Sequence, residues 1–145
     1  MSGQDAVTHP VWRIYFPGTP RDHVAIFIQT ETAMIGTLIQ VRGAIERPSG
    51  MRHEKLDNYN LSESRSLRRK ERLGNTKEDV GKFWDCAQSL PAPECQFGRD
   101  GPLPGEKRRC NEWQADYEKK LSQEGLVVDI QKNVQPLVAK YTEWY

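Results

Sequence analysis

"HVAIFIQTETAMIGTLIQVRG", residues 23–43, decides the fold class. Residues 23–30 and 37–43 are two runs rich in Val, Ile, Leu and Phe, separated by a short connector and closed by Gly43. Nearly unbroken apolar runs of this length fit central strands covered on both faces. The short gap between them makes an antiparallel hairpin. Side chains alternate along a strand, so His23, Ala25 and Phe27 share one face, as do Leu38, Gln40 and Arg42. If Ile28 pairs with Thr37, His23 falls opposite Arg42 and diagonal to Gln40. A shift of two residues sets His23 directly opposite Gln40. Both registers leave His23 and Gln40 on one face within side-chain reach, and a slip of one residue would part them. Gln40 is a polar amide in an apolar strand, so once buried it needs a partner. That partner is either a backbone group or the imidazole of His23.

Working outward, "VWRIYFPG" (11–18) reads as a first strand ended by Pro17-Gly18. Residues 51–61 read as a strand with weak alternation. The basic segment 64–74, "SRSLRRKERLG", suits a strand or a helix, and the strand is preferred. Residues 76–90 read as a short helix with Thr76 as candidate cap. Residues 91–107 hold four prolines and three glycines, a loop long enough to suggest function. A helix from about 110 to 124 follows, stopped by Gly125, and the last segment predicts a further helix with a break near Pro136. Strands followed by helices indicate an α+β fold, helices packed on one side of an antiparallel sheet. The expected organisation is one domain over 1–145, with a core of about 11–126 and a C-terminal helical extension over 127–145.

Composition narrows the function classes. Charged residues make up 28% of the 145 and the net charge is +1, so no overall field calls for nucleic acid or an anionic membrane. No apolar stretch approaches the roughly 20 residues of a membrane span, and the N-terminus lacks the pattern of a secretory signal. Three cysteines, Cys86, Cys95 and Cys110, sit at irregular spacing. That argues against a disulfide framework and for a reducing, cytoplasmic interior. With no C-x-x-C and no ligand spacing between the histidines and cysteines, neither a metal nor another cofactor is expected. His53 lies in the polar stretch "GMRHEKLD" and reads as exposed; Cys86 follows Phe83 and Trp84 and reads as packed.

Cys110 is the candidate nucleophile. It opens the second helix directly after Arg108 and Arg109, and basic residues oppose the positive end of a helix dipole. A helix N-terminus and nearby cations both favour thiolate over thiol. Cys110, Trp113, Tyr117 and Leu121 form one apolar stripe that faces the sheet, so an inert buried thiol is the plainer reading. A reactive thiolate needs a base that can return a proton, and His23 is the candidate.

The stretches "HVAIFI", "GTLIQVRG" and "RRCNEWQADY" resemble the circularly permuted papain-like cysteine superfamily, which includes relatives of lecithin–retinol acyltransferase. In that group a histidine opens one strand, a polar residue follows on the next, and the cysteine starts a helix in an "N-C-x-x-[aromatic]" segment. The chain is also similar to small single-domain fungal proteins of this type, which carry "HWALFI…GTLIHVVG" and then "NCQ-x-W", over roughly residues 12 to 126. The resemblance implies a permuted papain-like fold with catalytic Cys110, base His23 and orienting Gln40. Two positions depart from the pattern: Val24 replaces an aromatic residue and Arg109 replaces an asparagine. The implied activity is a cysteine-dependent hydrolase or acyltransferase acting on the amide or ester of a small-molecule or peptide substrate. Arg42, Arg109 and Trp113 are the candidate substrate contacts, although core packing is the plainer role for Trp113. A silent binding domain of the same fold, and a biosynthetic enzyme using the cleft for cyclisation or isomerisation, remain open alternatives. The arginines of 65–72 read as a solvated face or as the mouth of a cleft; without interleaved aromatics they do not make a single-strand nucleic-acid platform.

Overall fold

The structure is a computed structural model that describes residues 7–18 and 22–131. Within them the chain runs β1 (His9–Phe16), β2 (His23–Glu31), β3 (Ile35–Gly43), β4 (Met51–Asn60), β5 (Arg69–Thr76), α1 (Val80–Gln88), β6 (Phe97–Gly98), β7 (Gly101–Pro102) and α2 (Cys110–Gln123). The first five strands form one antiparallel sheet in the order β4-β3-β2-β1-β5, and β6 and β7 form a small separate ribbon. The fold is α+β, with both helices packed on one face of the sheet.

The hairpin of β2 and β3 sits at the centre, as its unbroken apolar pattern requires. Its register pairs Ile28 with Thr37 and Ile26 with Ile39, the first of the two registers set out above. Alternation along these strands feeds two cores. Ile26, Ile28, Ile39 and Val41 face the helices and pack with Phe83, Cys86, Cys110, Trp113, Tyr117 and Leu121. Ala25, Phe27 and Leu38 face the other way, with Ile14 and Leu61. Each large apolar side chain removed from water contributes about 1.5–3 kcal/mol before chain entropy is subtracted, and a strand that packs on both faces collects this twice along its length. β5 is an edge strand of "RKERLGNT", and its charges discourage pairing with another chain.

Several boundaries differ from expectation. Thr76 ends β5 rather than capping α1. Its hydroxyl accepts the N–H of Glu78 at 3.0 Å, and the helix starts four residues later behind Asp79. Residues 127–131 are not helical: Val128 pairs with Asn75 as an extra bridge on β5, and Gln131 donates to the carbonyl of Leu73. The rest of the expected C-terminal helix lies outside the described residues. Gly125 has φ +72° and closes α2 as the sequence suggested.

Gly43 ends β3 at φ +119°, and a Cβ there would lie 2.6 Å from the carbonyl oxygen of Gly50. The turn over 44–50 therefore depends on this glycine. Gly43→Ala is expected to lower the unfolding free energy by about 1–3 kcal/mol, read as a shift of the urea midpoint. An unchanged midpoint would show that the turn yields without strain.

Candidate active site

His23 and Gln40 meet as the register requires. His23 Nε2 and Gln40 Oε1 are 2.6 Å apart, and Gln40 Nε2 donates to Glu54 Oε1 at 2.6 Å. The chain of contacts fixes the chemistry of the ring. A carboxylate can only accept, so it takes the NH₂ end of the Gln40 amide. The carbonyl end is then turned to His23 and accepts from Nε2–H. In the neutral ring the lone pair is left on Nδ1. Glu54 was not singled out in the sequence. It comes into place because β4 pairs with β3 so that Gln40 stands opposite Glu54. Glu54 also lies 3.7 Å from the guanidinium of Arg42.

Burial lowers the pKa of His23 below its ordinary 6.5, against the opposing pull of the Gln40 hydrogen bond; Arg42 lowers it further and Glu54 raises it. A histidine with a depressed native pKa binds fewer protons folded than unfolded below pH 6.5. Stability is then fully present above about pH 6.5 and falls as the pH drops toward the native pKa. In a Cys110→Ser protein, where no thiolate can hold the imidazolium, His23 is expected to titrate below 6.5 with its proton on Nε2. Nitrogen-15 NMR of the ring reads both. A pKa above 6.5, or a proton on Nδ1, would contradict the Glu54–Gln40–His23 arrangement.

Cys110 is the first residue of α2 and is 9% exposed. Its thiol is 3.5 Å from Asn111 Oδ1. Three contacts seat this helix start. Gln96 clasps the backbone of Arg108 with both ends of its amide, Nε2 to the carbonyl at 2.6 Å and Oε1 to the N–H at 2.7 Å. The backbone N–H of Gln96 donates to the carbonyl of Ile45 at 2.8 Å. The Glu112 carboxylate accepts the N–H of Arg109. The Pro/Gly loop thus holds the start of α2 in place through Gln96.

His23 and Cys110 approach from different sides. By alternation His23 shares the face of Ala25 and Phe27, away from the helices, whereas Cys110 belongs to the helix-side core. His23 is the first residue of β2, however, and there the sheet ends. Both residues line one cavity of about 220 Å³ at that rim, together with Gly43, Glu46, Arg109 and Asn111.

The two arginines before Cys110 do not act on it in the simple way their position suggested. Arg108 pairs with Asp116, and Arg109 pairs with Glu46 at 2.9 Å. The pull on a thiolate is left to the helix N-terminus and to an imidazolium. Arg109 nonetheless lines the cavity, and its Nε is buried with no acceptor among the described residues. Arg42 is largely exposed on the other side of His23. Trp113 is 3% exposed in the helix-side core. Its indole N–H donates to the carbonyl of Leu90 at 3.1 Å and its ring stacks at a tilt on Tyr117, so packing accounts for it.

His53, expected to be exposed, is half-buried under the helices. Its Nε2 is 2.7 Å from the carbonyl of Leu90, and its ring meets Trp84 and Trp113 edge-on. It stands opposite Val41, and alternation turns it inward. The three cysteines are free thiols, and burial pushes that of Cys86 up to about 11. The basic β5 side chains lie over aromatic rings of β1, Arg69 on Tyr15 at 4.0 Å and Lys70 on Trp12 at 4.7 Å. Cation–π contact of this kind occupies both charges. Among the described residues no helix is long and apolar enough to cross a membrane.

Residues 11–128 match the sequence profile of DUF6540, a family of unknown function, and the chain belongs to that family. No curated protein matches the chain, and no solved structure matches it.

Proposed function

We propose that this member of the DUF6540 family is a small cysteine-dependent hydrolase or acyltransferase of permuted papain-like type. The reading rests chiefly on one observation: His23, held by Gln40 through Nε2, lines the same cavity as Cys110 at the start of α2. With Nε2 committed to Gln40, Nδ1 is the atom free to take the thiol proton. The thiolate attacks the carbonyl carbon of an amide or ester. Negative charge gathers on the carbonyl oxygen, where N–H groups of the helix start can receive it. The tetrahedral species collapses as the imidazolium protonates the leaving nitrogen or oxygen, breaking that bond and leaving a thioester on Cys110. Water or another acceptor then attacks, giving its proton to Nδ1, and the thiolate leaves.

The test is rapid acid quench of the protein with p-nitrophenyl acetate, followed by peptide mass spectrometry. One acetyl group on the peptide holding Cys110, absent from Cys110→Ala, is expected. Acetylation confined to lysines would refute the nucleophile. A second reading, a binding domain without turnover, is favoured by the Arg109–Glu46 pair, which cancels positive charge beside the sulfur.

A further inference from the structure

A second cavity, of about 470 Å³, lies on the helix-free face of the sheet. It shares His23, Gly43 and Met51 with the rim cavity, so the two join there. Its lining is mixed: Leu38, Leu56 and Tyr59 form an apolar patch, with Phe16 beside His23, and Gln40, Arg42 and Ser66 supply polar groups. Leu38 is 2% exposed and Phe27 packs edge-on against Tyr59, so the patch is built into a core and not a loose surface fold.

Beside its mouth two arginines stand near one carboxylate, Glu54, which pairs with Arg42. Arg42 lines the cavity, and β3 pairs with β4 so that Arg42 stands directly opposite Arg52 on the same face. Like charges in that position destabilise a sheet. Arg52 makes no ion pair among the described residues. The nearby carboxylate, Glu54, is already hydrogen-bonded by Gln40 and reaches Arg42 only at 3.7 Å. Arg42 thus lines the mouth of a chamber within the size range of small-molecule sites, and Arg52, outside the lining, stands next to it across the β3–β4 pair. A planar two-oxygen anion bridging Arg42 and Arg52 would relieve the repulsion and match the guanidinium fork.

We infer that this chamber is a binding site for a small organic carboxylate with an apolar body, its carboxylate at Arg42 and Arg52 and its body against Leu38, Leu56 and Tyr59. The site stands whether or not Cys110 is a nucleophile, because the contacts are noncovalent and lie on the opposite face of the sheet. Where Cys110 does turn over a substrate, the shared rim would let the bound molecule reach it past His23.

The experiment is a titration of the full chain with 4-phenylbutyrate, followed by amide chemical shifts, beside the same titration with the neutral isostere 4-phenylbutanamide. The carboxylate is expected to shift the amides of residues 38–42 and 52–59 saturably, with at least about tenfold tighter binding than the amide. Arg42→Gln/Arg52→Gln is expected to erase that preference. Both side chains are exposed, so the variant keeps the fold, which its own spectrum checks. Equal binding of acid and amide, unchanged preference in the double variant, shifts centred elsewhere, or no saturation would each overturn the inference. The readout is binding alone, so a failure here is separate from a failure to form a thioester on Cys110.

Discussion

Arg13→Met is expected to lower the unfolding free energy by about 3 kcal/mol, or roughly 6–12 °C in Tm for a chain of this size. Arg13 is in the middle of β1 and 3% exposed. Its guanidinium turns to the helix side and joins two carboxylates, Glu118 of α2 at 2.5 and 2.9 Å and Glu71 of β5 at 3.1 Å. The Tyr15 hydroxyl donates to Glu71 at 2.8 Å, and the Gln114 amide donates to Glu118 at 2.8 Å. Removing the cation leaves two carboxylates, 14% and 26% exposed, facing one another without compensation. That lost compensation, more than the attraction itself, sets the size of the effect. Partial exposure of both acids places it at the lower end of the range for broken buried pairs. Urea unfolding of Arg13→Met, Glu118→Gln and the double variant measures it. The double variant is expected to be more stable than the sum of the single losses implies. Additive losses would show that Arg13 and Glu118 do not act as a pair.

This cluster marks a limit of reading the chain one segment at a time. An arginine in "VWRIYF" breaks no strand pattern, because one face of an antiparallel strand usually meets water. Its burial becomes evident only once α2 is placed across the sheet with Glu118 above it. The hairpin of β2 and β3 was legible for the opposite reason. Its signal is local: two apolar runs, a connector and a closing glycine leave two registers open, and both put His23 and Gln40 on one face. Glu54 was hidden because its place depends on the turn over 44–50, whose geometry turns on the left-handed Gly43. His53 was misjudged because "MRHEKLD" looks polar, while the β3–β4 register sets it opposite Val41 and half-buries it against Trp84 and Trp113. The stripe of α2 gave Cys110 its inward direction, yet no periodicity tells which face of the sheet a helix will cover. That choice sets His23 and Cys110 on opposite sides, meeting only where β2 begins.

The second large effect concerns that meeting. If His23 takes the proton of Cys110 across the rim, the sulfur is a thiolate in a pH range where an ordinary cysteine, with a pKa of about 8.5, is protonated. Cys86 supplies an internal reference, since burial pushes its thiol up to about 11 and a thiolate is the reacting form. His23→Ala removes the proton acceptor without touching the helix start, which is seated by Gln96, Ile45 and Glu112. The most direct measurement is therefore the rate of iodoacetamide alkylation of each cysteine from pH 5 to 9, read by peptide mass spectrometry in the parent and in His23→Ala. The account predicts that Cys110 reacts at pH 6.5 while Cys86 does not, and that His23→Ala slows Cys110 at that pH by at least about tenfold. Equal rates for Cys110 with and without His23, rising together around pH 8.5, would contradict it.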